Sequence, residues 1–411
     1  MKRIFCFIIF FFLIFEFSFA NDVVSLDALI SEALVNNPEI LAAKKKFEAA
    51  STRIFQSASL NDPVFEFEYD KMTADRMLTG KPMKTISVSQ TIPFPTKLYL
   101  KAKIASKLAK MEYENYKAKE REIIARVKSS YSELLLINKT MELAYENKAI
   151  LEQFSKSATA RYSTATGTQI DVLRAQVEIA KIDNELVMLE QKLIAGQAML
   201  NVLLDRDPKN SLGILSPQAA LKFTKTLDEF YALAKENNPE LKAYGYLVDK
   251  GKAAYSLAIN EFAPDFMVKY SRMIDSSEKD WAGMVGVTIP LWFFQKQVFG
   301  VKEMKAELEM LKAESKAKEN LILFEVQNSY SRILAAKKII ELFEVAFIPQ
   351  AEQALAAALK AYETEKLDFL SLLDSQRMII DFKLEHYKAI LELRIALADL
   401  EKAVGKDLEF N

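Results

Sequence analysis

NDPVFEFEYDKM, residues 61–72, alternates Phe65, Phe67 and Tyr69 with Glu66, Glu68 and Asp70. A period of two is the mark of a strand with one greasy face and one wet face. Almost everything around it reads as long helix. The chain has 411 residues, half of them apolar, yet only 10 Gly and 11 Pro. Loops are therefore few, and an isolated amphipathic strand needs a reason.

The strand has company, because the chain is written twice. Leu26-Asp27 and Asn36-Asn37-Pro38-Glu39 recur as Leu227-Asp228 and Asn237-Asn238-Pro239-Glu240. Pro63-Val64-Phe65 is answered by Pro264-Asp265-Phe266, and Thr91-Ile92-Pro93 by Thr288-Ile289-Pro290. Val127 with Ser130-Tyr131-Ser132 returns as Val326 with Ser329-Tyr330-Ser331. Tyr162, Leu173 and Gln176 return as Tyr362, Leu373 and Gln376. The pairs keep their order at an offset of about 200 residues, far beyond solenoid periods of about 20–50. Residues 21–220 and 221–411 are two copies of one unit. Each copy is expected to hold a short helix, a second helix, a strand pair and two long helices. The strands are predicted at about 64–72, 84–92, 266–274 and 281–289. The long helices are predicted at about 97–161, 169–204, 296–362 and 368–404.

The helices declare themselves by the other period. Val127, Tyr131, Leu134, Met141 and Tyr145 form a coiled-coil-like stripe, answered by Ile182, Leu186, Leu189 and Leu193. No Gly or Pro interrupts residues 97–161, so that rod would extend roughly 95 Å.

Residues 1–20, MKRIFCFIIFFFLIFEFSFA, place Lys2 and Arg3 before an apolar run, with Ser18 and Ala20 as a small-residue cleavage site. This is the pattern of a secretory signal peptide. A retained N-terminal anchor is the alternative, but Glu16 shortens the run below the roughly 20 residues a spanning helix needs. Cys6, the only cysteine, would leave with the peptide, so the mature chain has no disulfide. With 55 Lys+Arg against 56 Asp+Glu, no global field recruits nucleic acid.

A strand pair packed on a helix in an ordinary α+β domain is one reading of the alternation. A membrane is the other, and three features favour it. Each strand is about nine residues, the length a tilted strand needs to cross a bilayer. Aromatic residues dominate the greasy face, through Phe65, Phe67, Tyr69, Phe266 and Tyr270, with Val268 between the last two. Trp292, Phe293 and Phe294 follow the fourth strand, where an interfacial girdle belongs. Lipid then forces the sheet to close, and four strands are too few, since about eight fill the smallest barrel. Several chains must share one barrel, with Phe65, Phe67, Tyr69, Phe266, Val268 and Tyr270 on lipid and Glu66, Glu68 and Asp70 lining the lumen.

Signal peptide, duplication, strand pairs, paired long helices and the Asn-Asn-Pro-Glu and Thr-Ile-Pro turns together resemble the TolC family of outer-membrane efflux proteins. Gln90-Thr-Ile-Pro-Phe-Pro-Thr-Lys97 is most similar to its heavy-metal branch. The resemblance implies a mostly α protein with a minor β part, assembled as a homotrimer. A shared twelve-stranded barrel in the Gram-negative outer membrane would sit on a helical tunnel through the periplasm. It implies a passive exit duct, fed by an inner-membrane transporter through a periplasmic adaptor protein, with no cofactor. It also implies a gate at the helix–helix turns, where Asp171, Asp374 and Tyr362 fall on positions that narrow or hold it. Ser371 and Arg174 depart from the acidic pattern, which leaves Asp368 as a substitute acid. Helix capping and the helix dipole are the competing roles for Asp171 and Asp374.

Catalytic chemistry is missing from the sequence. His386 is the lone histidine, and no zinc spacing, Walker loop, GxSxG or HExxH motif occurs. Met72, Met77 and Met83 in the first hairpin are soft thioether donors or plain loop filler. A secreted coiled-coil scaffold, a carboxylate enzyme and a type I protein-secretion duct are the rival readings.

Overall fold

A computed structural model describes residues 24–70, 83–216, 225–274 and 280–408, without the side chains of Asp70 and Met83. Residues 1–20, Met72 and Met77 lie outside them. The first unit contains α1 (Leu26–Asn36), α2 (Pro38–Ala58), β1 (Val64–Asp70), β2 (Met83–Ile92), α3 (Pro95–Ser163) and α4 (Gln169–Leu203). The second contains α5 (Leu227–Asn237), α6 (Pro239–Asn260), β3 (Asp265–Met273), β4 (Trp281–Thr288), α7 (Gln297–Leu342), α8 (Ile348–Glu363) and α9 (Phe369–Val404). The 69 residues of α3 extend about 100 Å.

The repeated Asn-Asn-Pro-Glu turn has a physical cause. Asn37 Oδ1 accepts from the Glu39 and Ile40 N–H groups at the start of α2, while its Nδ2 donates to the Leu203 carbonyl at the end of α4. Asn238 repeats both bonds, accepting from Leu241 N–H and donating to the Ala403 carbonyl. One buried side chain thus caps a helix start and satisfies an orphan carbonyl at a helix end. The following proline occupies the first turn, where no N–H is needed.

Each unit packs its own core around that turn. Leu29, Ala33, Ile123, Val127, Leu134, Leu200 and Leu203 form the first. Phe230, Ala234, Ile322, Val326, Ile333, Leu400 and Ala403 form the second, position for position. Tyr131 is fully buried in the first core, and its hydroxyl donates to the Ser216 and Val24 carbonyls.

The long helix expected over about 296–362 is not one α-helix. A π turn at Phe343–Phe347 separates α7 from α8, closed by Ile348 N–H on the Phe343 carbonyl. The repeat explains it. Val127 and Tyr131 lie 199 residues before Val326 and Tyr330, but Tyr162 lies 200 before Tyr362. The second unit carries one extra residue between these landmarks. In an α-helix that insertion would turn every later side chain by about 100°. The wide turn absorbs it, so Ala351, Ala358 and Tyr362 stay buried, as Leu151 and Ala158 are in α3. It also accommodates Pro349, which has no N–H for an α-type bond.

The four strands form one antiparallel sheet in the order β1-β2-β3-β4. The helices that continue the strands keep the same order, with α3 packed between α2 and α6, and α6 between α3 and α7. Among the described residues, β1 and β4 each pair on one side only.

Candidate functional site: the strand sheet and the helical tip

Register assigns every strand residue to a face. Phe65, Val88, Tyr270 and Gly283 are opposite one another, as are Phe67, Ile86, Arg272 and Trp281. Ile92, Phe266 and Val287 form a third row, and Gln90, Val268 and Val285 a fourth. Phe65, Phe67, Tyr69, Phe266, Val268 and Tyr270 thus share one face with Trp281, Val285 and Val287. All are exposed, from 36% at Phe266 to 75% at Val285. A largely apolar face that reaches across all four strands, broken by Lys84, Gln90 and Arg272 and uncovered among the described residues, demands a non-aqueous neighbour.

The opposite face carries Glu66, Glu68, Thr85, Ser87, Ser89, Thr91, Lys269 and Ser271. It is polar, but not the purely acidic row that β1 alone spells out. Lys269 Nζ is 2.6 Å from Glu66 Oε2, and Ser87 Oγ donates to the same oxygen. The partner comes from 203 residues away and becomes visible only once the register is known. Asp70 occupies the end of β1, and its side chain lies outside the described residues.

The sheet is locked to the helices through Lys97, which is buried at the first turn of α3. Its Nζ donates to the Ala263 carbonyl and to Asp265 Oδ1, both at 2.9 Å. Asp265 also accepts from Phe94 N–H. No helix among the described residues is long and apolar enough to cross a membrane.

At the far end of the rods, two turns share three backbone bonds, and the first adds Gly167 N–H on the Arg161 carbonyl. Thr166 N–H donates to the Arg161 carbonyl and Lys366 N–H to the Ala361 carbonyl, both at 2.9 Å. Ala165 and Glu365 take the left-handed conformation that such a helix end requires. The next helix then starts on a side-chain cap. Thr168 and Asp171 form a reciprocal capping box at α4. Asp368 accepts from Ser371 N–H at α9, which with the Ser371 hydroxyl holds its carboxyl below the usual range. The capping role expected for Asp171 and Asp374 is real for Asp171 only, since Asp374 lies inside α9 and Asp368 is the cap there.

The tips differ in what covers them. Tyr162 is half exposed, whereas Tyr362 is buried against Phe369, ring centroids 5.6 Å apart. Burial raises the Tyr362 hydroxyl above its ordinary pKa; the Arg161 charge opposes that shift and Asp171 adds to it. The Asp374 side chain is 60% exposed and accepts from Arg377 Nη1 at 3.2 Å. Arg377 also reaches Glu178 Oε1 at 2.6 Å, tying α9 to α4. Sequence reasoning missed Arg161, Glu178 and Arg377 as tip residues, since their partners sit in the other unit.

Comparison with known proteins matches this architecture twice over. The outer membrane efflux protein family matches residues 29–205 and again 230–406. The cobalt-zinc-cadmium resistance protein CzcC of Cupriavidus metallidurans is 23% identical over 397 residues, spanning 93% of this chain and 90% of its own. The outer-membrane channel OprN superposes with a TM-score of 0.81 at 17% identity, covering 93% of this chain and 90% of that one. VceC, an outer membrane protein of Vibrio cholerae, gives 0.80 at 16% identity, covering 93% and 97%. Both copies of the duplicated unit are accounted for, and the chain belongs to the outer membrane efflux protein family.

Proposed function

We propose that three copies of this chain form a passive exit duct for metal ions. The copies would join β4 of one to β1 of the next into a closed twelve-stranded barrel, continued below by a tunnel of helices. The observation that carries this is the sheet itself, which among the described residues has two unpaired edges and a largely apolar face left uncovered across all four strands. Hydrocarbon leaves no backbone group unpaired, so such a sheet is incomplete alone. The helical layer supports the same closure, because α2 and α7 are open at its edges as β1 and β4 are in the sheet.

Glu66, Glu68 and Lys269 would then line the lumen, and Phe65, Phe67, Tyr69, Phe266, Val268 and Tyr270 would meet lipid. The tips, with Asp171, Tyr362, Asp368 and Asp374, would form the periplasmic gate. Asp374 is the acid best placed to face a bore, since capping already engages Asp171 and Asp368. A periplasmic adaptor and an inner-membrane transporter would deliver the cargo, after cleavage of residues 1–20 on export. The likeness to CzcC favours metal ions over drugs or secreted protein.

Deleting the gene tests the cargo. Sensitivity to cobalt, zinc or cadmium should rise and be restored by the wild-type copy. Unchanged metal sensitivity alongside new sensitivity to organic toxicants would overturn the metal assignment.

A further inference from the structure

The polar face of the sheet carries an anomaly. Met267, Met273 and Met284 all lie on it, in register with Gly286, Thr85 and Lys269 respectively. Apart from Val64 and Met83, the described positions of that face hold no other large apolar residue, and no Leu, Ile or aromatic residue. The apolar face, where a methionine would be one more greasy side chain, has none among its described positions. Methionine used as filler belongs on the greasy face. Here it is confined to the wet one, which leaves the thioether sulfur as the property being used.

Two of the three are diagonal neighbours on adjacent strands. Met284 is opposite Lys269, two residues along β3 from Met267. Such diagonal neighbours sit about 7–8 Å apart at Cα, within reach of long side chains. Met267 does reach across, since its terminal methyl lies 3.4 Å from where a Cβ on Gly286 would stand. Glycine at that position leaves room for the Met267 side chain to lie over β4. Lys269, the nearby cation, is drawn the other way onto Glu66. Its charge is thereby neutralised, which removes the main electrostatic objection to a cation beside Met284.

We infer that Met267 and Met284 form a thioether site for soft monovalent cations, Cu(I) or Ag(I), on the wall of the duct. Thioethers prefer these ions to Zn(II) or Co(II), which take imidazole, carboxylate and thiolate. The site is a stepping point for soft ions that share the duct with divalent cargo and not a structural centre, since two neutral donors bind weakly enough to release. This rests on the trimeric-duct reading, in which the polar face lines the bore.

The test uses the full chain purified in detergent, with Ag(I) nitrate in chloride-free buffer as a redox-stable probe. Calorimetry should show saturable Ag(I) binding that becomes roughly tenfold weaker or vanishes in Met267→Leu/Met284→Leu. Zn(II) binding should be the same in both proteins. Equal Ag(I) binding by both, or none by wild type, overturns the site. A second measurement needs no variant. Ag(I) should protect Met267 and Met284 from peroxide oxidation, read by peptide mass spectrometry, but not Met188 or Met310, exposed on helices at 55% and 50%. Equal oxidation with and without Ag(I) counts against the site. Potassium conductance of the same preparation in planar bilayers separates the two ideas. A conducting pore without Ag(I) binding sinks only the thioether site, and a protein that binds Ag(I) but never conducts sinks the duct.

Discussion

Arg161 lies over the ring of Tyr362, its guanidinium carbon 4.7 Å from the centroid, and donates to the Tyr362 backbone carbonyl at 2.7 Å. The first residue belongs to the tip of the first unit and the second to the tip of the other. A third contact, from Nη2 to Glu365 Oε1 at 3.2 Å, fixes the same guanidinium. One side chain therefore joins the two halves of the duplication where the rods end.

Removing that clamp should loosen the tip. Arg161→Ala is expected to cost about 2 kcal/mol locally, from a desolvated cation–π contact and a charged hydrogen bond. Protease cleavage at residues 164–168 and 364–368 should speed up, and closed-state conductance in bilayers should rise. Arg161→Lys keeps the charge but not the planar stack and should fall between the two. Wild-type cleavage and conductance in Arg161→Ala would contradict the clamp.

Acid should release a second tie. Burial disfavours the charged form of Glu178, but hydrogen bonds from Lys181 and Arg377 outweigh it and hold the carboxyl below its ordinary 4.5. A depressed carboxyl contributes stability in full above its unfolded value, and that stability fades as pH falls through the lowered native one. The α4–α9 bridge should therefore hold at neutral pH and weaken only below about pH 4.5. Hydrogen exchange at residues 170–180 across that window checks it. Glu178→Gln should remove the acid-dependent step. A step persisting in that variant would assign it elsewhere.

Gly405 and Asp205 end the equivalent helices α9 and α4, both with positive φ, 80° and 58°. Only the glycine is crowded, as a Cβ there would lie 2.8 Å from the Asn237 carbonyl oxygen, Asn238 Cα and Pro239 Cδ. Gly405→Ala should destabilise by roughly 2–3 kcal/mol, combining the left-handed penalty with overlap against the Asn-Asn-Pro turn. Asp205→Gly should be nearly neutral. Thermal melts of the two variants make the comparison, and equal shifts would refute the crowding.

The π turn invites a deletion experiment. Val345 is 74% exposed inside it. Removing Val345 together with Pro349→Ala should leave a continuous α-helix with Tyr362 still facing its core. Deleting Glu146 from α3 should instead rotate Leu151, Phe154 and Ala158 off theirs by about 100° and cost several kcal/mol. Circular-dichroism melts distinguish these outcomes. Similar losses in both variants would refute the inserted-residue explanation.

What the sequence made legible follows from the range of each interaction. The alternation of Phe65, Phe67 and Tyr69 is local, so the strand and its greasy face were plain. Landmark pairs such as Asn37 with Asn238 exposed the duplication, and the two family matches agree. Treating the offset as about 200 hid the extra residue between Tyr330 and Tyr362, and with it the π turn. The Lys269–Glu66 pair was out of reach because it needs the strand register. Burial of Tyr362 beside exposed Tyr162 was also hidden, since similar turns differ in what covers them, here Phe369 of the same unit and Arg161 of the other.

The central claim is that one chain supplies a third of a closed barrel. Native mass spectrometry of protein extracted from outer membranes in mild detergent tests it most directly. The account predicts a single assembly of three chains, with no monomer until the detergent is made denaturing. A stable monomer, or an assembly whose strand total leaves the sheet open, would contradict it.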